Sequence, residues 1–226
     1  QPVVCDEVAP MDMEAARTAL IDSQVRPNDV TDRRLIAAMA ALPREDFLPE
    51  FRKALAYADC PVETGPGRHL WAARDFAKVV HSASVTDTDH VLDIACGSGY
   101  SSAILSRIAR SVVALEQDDA AGAMARTNLA KVGASNVEVV VGPLKAGAPG
   151  KGPFDAIFVG GAVEDVPQAW LDQLAEGGRL AVVMSEGAVR QARLYTRSGG
   201  KTAWRAPFET AAPILPGFKR AEVFKL

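Results

Sequence analysis

Two acids and two glycines carry the most legible chemistry in this chain. Asp93 closes a short apolar run, and Gly97 and Gly99 follow it in the spacing D-x-A-x-G-x-G. Glu116 closes the next apolar run, 17 residues beyond Gly99. Glycines at such a turn admit positive φ and let backbone approach a ligand closely. The spacing is neither the G-x-G-x-x-G of a dinucleotide fold nor the G-x-x-x-x-G-K-S/T of a phosphate loop. A pyrophosphate site aims a helix N-terminus at an anion, whereas an acid at Asp93 suits a ligand that presents a cation, such as an amino group. An acid at the position of Glu116 is placed to accept hydrogen bonds from both hydroxyls of a ribose. A ligand with an amine, a free ribose and no phosphate matches S-adenosylmethionine.

Other chemistries find less support. His69, His81 and His90 lack H-E-x-x-H spacing, and Cys5, Cys60 and Cys96 contain no C-x-x-C, so no metal is expected. No tyrosine has a lysine four residues on, which argues against one large dehydrogenase class, and no G-x-S-x-G elbow marks a hydrolase.

The elements that must position these residues follow from periodicity. From residue 90 strands and helices alternate: His90–Ala95, Ser111–Glu116, Asn136–Val141, Phe154–Val159 and Arg179–Met184 read as strands. Between them, Ser101–Arg110, Asp118–Val132 and Val166–Ala175 read as helices. Near-continuous apolar strands in a βαβα succession predict a doubly wound α/β fold around a mostly parallel sheet. Upstream, helices are expected over Asp12–Gln24, over Thr31–Leu42 with Thr31 as cap, and over Trp71–Ala83, with a loop at Pro61–Gly67. Downstream, Arg193–Thr196 and Ala221–Leu226 read as a terminal antiparallel pair.

Composition agrees. The chain has 226 residues, 48% of them hydrophobic, and a net charge of −3. That is too apolar for disorder, too neutral to attract polyanions as a whole, and without a run long enough to span a membrane. Neither a nucleic-acid nor a membrane partner is expected. Three scattered cysteines and no signal peptide fit a cytoplasmic protein. Residues 1–10 read as a tail before Met11 or Met13, and residues 11–226 as one domain. In that domain residues 11–83 form a helical cap and acceptor region, and residues 84–226 the cofactor core.

Several stretches together carry a family likeness. They are Asp22-Ser23-Gln24-Val25-Arg26-Pro27, TDRRLIAAMAALPREDFLPEF from Thr31, Leu55–Asp59, the glycine loop, the strand ending in Glu116, NVEVVVG, FDAIFVGGA and LDQLAEGGRL. Over roughly residues 15–185 the chain resembles the protein-L-isoaspartate (D-aspartate) O-methyltransferases. The resemblance implies a Rossmann-like class I methyltransferase fold with a seven-stranded sheet and an N-terminal helical subdomain. It also implies methylation of the misplaced α-carboxylate of isoaspartyl residues in damaged proteins, with S-adenosylmethionine as donor. The expected cofactor contacts are Asp93, Ala95, Cys96, Gly97, Ser98, Gly99, Tyr100, Ser101, Glu116, Gln117, Pro143, Leu144 and Gly160.

Two departures bear on the acceptor. Where the family has G-x-G-Q-T-I-S-x-P, this chain has Gly65-Pro66-Gly67-Arg68-His69-Leu70-Trp71-Ala72-Ala73, so the hydroxyls that help hold the substrate carboxylate are replaced. Where the family has G-D-G after the third strand, this chain has Gly142-Pro143-Leu144. Arg68 is expected to grip an acceptor carboxylate, which needs no general base because it is ionised at neutral pH. Alternatively His69, oriented by Asp59, serves as a base toward a small-molecule hydroxyl, thiol or amine. Trp71 lies about 100° off its helix's apolar stripe and could wall the cleft. A non-catalytic binder of the same cofactor is the third reading. A monomer or homodimer is expected.

Overall fold

The structure, a computed structural model, describes residues 12–220. The tail read for residues 1–10 and the strand expected over Ala221–Leu226 lie outside these residues.

Seven strands form one sheet. In chain order the elements are α1 (Met13–Leu20), α2 (Arg33–Ala41), a small hairpin of β1 (Val62–Gly65) and β2 (Arg68–Leu70), α3 (Ala73–Ser82), β3 (His90–Ile94), α4 (Tyr100–Ser106), β4 (Ser111–Glu116), α5 (Asp119–Lys131), β5 (Val137–Val141), β6 (Phe154–Val163), α6 (Gln168–Asp172), β7 (Leu174–Glu186), β8 (Val189–Ser198) and β9 (Lys201–Glu209). The sheet runs β5-β4-β3-β6-β7-β8-β9. Strands β3 to β7 are parallel neighbours, and β8 pairs antiparallel with both β7 and β9. The order reverses between β3 and β6, where an open α/β sheet forms its ligand crevice.

Strand periodicity sorts the core into two layers. Val91, Val112, Ala114, Ala156 and Phe158 face α3, α4, α5 and the N-terminal helices. Their neighbours Leu92, Ile94, Val113, Leu115 and Ile157 face the opposite layer with Trp170 and Phe218. That second layer holds little helix. Pro143, Gly147, Pro149, Gly150, Gly152 and Pro153 stud the link from β5 to β6 and exclude a long one. Trp170 anchors the link instead, donating from Nε1 to the Leu144 carbonyl at 2.8 Å.

Several expectations shift. Asp32, not Thr31, caps α2, its side chain accepting from Arg34 N at 2.8 Å. The helix from Met13 widens into a broader turn over Ile21–Val25 before Pro27 stops it. The helix read over Val166–Ala175 shrinks to Gln168–Asp172, because β7 already begins at Leu174. The supposed loop at Pro61–Gly67 is mostly the β1–β2 hairpin. The partner of β8 is β9, turned at Gly199-Gly200, both at positive φ. Strand β6 continues past Val159 to Val163 through a bulge between Phe158 and Ala162. Gly160 and Gly161 make that bulge possible. A Cβ on Gly160 would lie 2.2 Å from the Ala95 carbonyl oxygen, and one on Gly161 would lie 2.5 Å from Leu215 Cγ.

The N-terminal cap is tied to the crevice by a buried arginine. Arg44 is 1% exposed and donates to the carbonyls of Ala56 and Trp71 at 2.9 and 2.7 Å. Its guanidinium also lies 5.0 Å from the Tyr100 ring centroid. Leaving those two carbonyls unpaired would cost roughly 1–3 kcal/mol each, so Arg44 fixes where Trp71 sits.

Candidate active site

The turn after β3 holds a strained path. Ala95, Gly97 and Gly99 all have positive φ, at 63°, 57° and 93°. Only Ala95 pays the penalty of a Cβ there. The turn is closed by Gly99 N donating to the Cys96 carbonyl at 2.9 Å, and it is pinned to β4 by Ala95 N donating to the Leu115 carbonyl at 2.9 Å. Asn128 on α5 supports it from outside, donating to the Ser98 carbonyl at 3.0 Å.

Asp93 sits wholly buried beneath this turn. Its Oδ2 accepts from Ser101 and Ser102 at 2.6 and 2.5 Å. Its Oδ1 is buried with no hydrogen-bond partner. Burial, helped by the nearby Glu116 charge, pushes the Asp93 carboxyl up to about 6, and the two serine hydroxyls restrain the shift. Such an orphaned acceptor suits an ammonium group. Ser102 was missed at the sequence level. It lies one residue beyond the motif on a helix face that reads as core, and only the packing of α4 on β3 turns it toward Asp93.

Glu116 is also fully buried. Arg68 grips it with a two-pronged contact, Nε to Oε1 at 2.8 Å and Nη2 to Oε2 at 2.9 Å. Gly97 N donates to Oε1 at 2.7 Å and Gln117 N to Oε2 at 2.8 Å. Arg68, expected at the acceptor, is thus placed against Glu116. The period-two alternation of β2 sends Arg68 inward to Glu116 and His69 to the other face.

His69, Trp71 and Gly160 line a narrow cleft together with Ala95, Cys96, Ser98, Tyr100 and Ser101. Phe76 and Phe158 complete its wall; sequence reading missed both, since they look like ordinary core aromatics. Trp71 packs 5.6 Å from Phe158, ring centroid to centroid, and donates from Nε1 to the Gly160 carbonyl at 3.1 Å. Burial lowers the pKa of His69 and so favours the neutral imidazole, with Glu63 opposing and Arg52 adding to the effect. Asp59 does not orient it. Its carboxylate is exposed and lies 3.8 Å from Arg74 Nη1, and among the described residues no hydrogen bond joins it to His69. Burial pushes the Cys96 thiol far up, which leaves it inert.

Glu116 and Arg68 border a cavity of ≈ 180 Å³, and Gln117, Gly142, Pro143, Leu144, Lys145 and Phe218 line a separate hollow of ≈ 550 Å³. The residues expected at the cofactor thus fall on three neighbouring hollows: Ala95, Cys96, Tyr100, Ser101 and Gly160 on the aromatic cleft, Gly97 and Glu116 on a second, and Gln117, Pro143 and Leu144 on a third, with Ser98 on the first two. An orphaned acceptor for an amine, a buried carboxylate now held by Arg68 and a largely apolar hollow beside Gln117 are the features these residues offer to S-adenosylmethionine.

Comparisons with known proteins agree with this arrangement. Residues 15–210 match the family model for protein-L-isoaspartate(D-aspartate) O-methyltransferase. The protein-L-isoaspartate O-methyltransferase of Methanoregula boonei is 38% identical over 82% of this chain and 85% of its own. That of Koribacter versatilis is 32% identical over 82% of this chain and 83% of its own. A solved protein-L-isoaspartate O-methyltransferase superposes with a TM-score of 0.76 at 26% identity, over 91% of this chain and 66% of that one. A Plasmodium falciparum β-aspartate methyltransferase structure, in complex with S-adenosyl-L-homocysteine, has a TM-score of 0.74 at 18% identity and so speaks to the fold alone. The chain belongs to the protein-L-isoaspartate(D-aspartate) O-methyltransferase family of S-adenosylmethionine-dependent methyltransferases.

Proposed function

We propose that this protein transfers a methyl group from S-adenosylmethionine to the α-carboxylate of isoaspartyl residues in proteins or peptides. The observation that carries the reading is the pair of buried acids, Asp93 with its free Oδ1 and Glu116, set beside the cleft of His69 and Trp71. When bound, the cofactor supplies an electrophilic methyl on a sulfonium. Asp93 holds the amino group, Glu116 the ribose, and Gln117, Pro143 and Leu144 border the base. The glycine turn and Gly160 bring backbone close to the ligand, and Ala95, Cys96, Ser98, Tyr100 and Ser101 complete its surroundings.

The chain's own catalytic task is alignment, which is worth up to roughly 7–11 kcal/mol in well-oriented reactions. A carboxylate needs no base to attack, so the neutral His69 acts as a hydrogen-bond donor in place of the family's hydroxyls. Trp71, Phe76 and Phe158 exclude water around it. Residues 11–226 act as one catalytic unit. A cytoplasmic location, supported by the free Cys60 and Cys96, and a monomeric or homodimeric state belong to the same proposal.

Radiolabelled methyl transfer to an isoaspartyl peptide, with the normal aspartyl peptide as control, tests this. Labelling confined to the isoaspartyl peptide is expected. Equal background on both would instead favour a small planar acceptor, the reading supported by the aromatic walls of the cleft.

A further inference from the structure

Glu116 has no hydrogen-bonding capacity left. Two carboxylate oxygens offer about four lone-pair sites, and four donors already fill them: Nε and Nη2 of Arg68 and the backbone N–H groups of Gly97 and Gln117. The two backbone donors belong to the turns that build the crevice and cannot leave without dismantling it. The guanidinium can leave. A ribose diol recognised by this carboxylate would require the two sites that the guanidinium now holds.

We propose that Arg68 is an internal stand-in for the ribose diol, which the nucleoside must displace from Glu116 in order to bind. Arg68 thereby sets both the affinity for the cofactor and the rate at which the nucleoside product leaves. The proposal rests on the reading of Glu116 as the ribose acid.

Three features support it. A guanidinium edge presents two parallel donors to a carboxylate, and a cis-diol presents two as well. The backbone of β2 is held close to the glycine turn, since a Cβ on Gly97 would lie 3.4 Å from Arg68 Cβ, so displacement is a side-chain movement. Arg68 and Glu116 also border one cavity of ≈ 180 Å³ with Gly97, Ser98, Asp118 and Met124, so a diol reaching Glu116 would enter the space that the guanidinium now fills. In ligand-free protein the competent state is the fraction in which Arg68 has swung away, and the apparent dissociation constant rises by the inverse of that fraction.

Calorimetry with S-adenosyl-L-homocysteine on wild type, Arg68→Gln and Arg68→Ala tests this. Both variants should bind at least roughly tenfold more tightly and release the ligand more slowly in a stopped-flow chase. Unchanged or weaker binding would overturn the proposal. A second measurement needs no variant. In ¹⁵N NMR of wild type, the Arg68 Nε–H should lose its protection from solvent exchange when S-adenosyl-L-homocysteine is added. Binding with that proton still protected would overturn it too. Absence of binding by wild type and both variants would overturn the cofactor reading beneath it, an outcome distinct from either.

Discussion

Asp93 shows how one buried side chain joins stability, ligand chemistry and pH. Its carboxyl is raised to about 6 by burial, so between its ordinary value near 3.8 and about 6 the folded state holds a proton that the unfolded state has released. The sign follows: this group's contribution to stability is present at low pH and is lost as pH rises through about 6. Ligand binding runs the other way, because an ammonium group prefers the ionised form. The affinity for S-adenosyl-L-homocysteine should therefore fall below pH 6, by about tenfold per unit at the steepest. Asp93→Asn should bind about 10- to 100-fold more weakly at pH 7.5, a loss of roughly 1.5–3 kcal/mol for a charged hydrogen bond, and should lose that pH dependence. Calorimetry between pH 5 and 8 checks both. A variant that keeps the wild-type profile would show that the titrating group lies elsewhere.

At the scale of elements, the site is an agreement between β3, β6 and the β1–β2 hairpin. Gly160 is the tightest point of that agreement, because a methyl group there would meet the backbone of Ala95 rather than a side chain that could turn aside. Gly160→Ala must push β6 away from the glycine turn. It should cost roughly 1–3 kcal/mol in urea unfolding and weaken S-adenosyl-L-homocysteine binding as well. The control is Gly133→Ala, which has open space at its Cβ and a positive φ of its own. It should lose stability through backbone strain without losing affinity. The hairpin was hidden in the sequence because Pro61, Gly65, Pro66 and Gly67 read as loop. Yet Val62 and Thr64 on one strand, and Arg68 and Leu70 on the other, are its buried residues. Four residues are too few for alternation to stand out from turn chemistry.

For the whole molecule, a ligand that binds only the folded state must stabilise it by mass action. S-adenosyl-L-homocysteine at one hundred times its dissociation constant should add about 2.7 kcal/mol. For a chain of this size that is a rise in Tm of roughly 5–10 °C, measurable by scanning fluorimetry. Adenosine, which lacks the amino acid portion that would meet Asp93, should need a far higher concentration for the same rise. Equal potency would remove Asp93 from the site. No described helix is long and apolar enough to cross a membrane.

The parallel strands, the crevice and the two acids were legible in the sequence, whereas β9 was not. Strands β3, β4 and β6 are apolar on both faces, which only a covered parallel sheet satisfies, and the turn glycines mark where it opens. Those signals are local and survive in one dimension. Packing alone settles what Arg68 touches, that Ser102 turns toward Asp93, that Asp59 stands apart from His69, and that Phe76 and Phe158 wall the cleft. Arg68 and Glu116 lie 48 residues apart, and their union depends on a hairpin folding over a turn. A charged side chain's partner is set by which buried group would otherwise go unpaired, and that is settled by packing rather than by spacing along the chain.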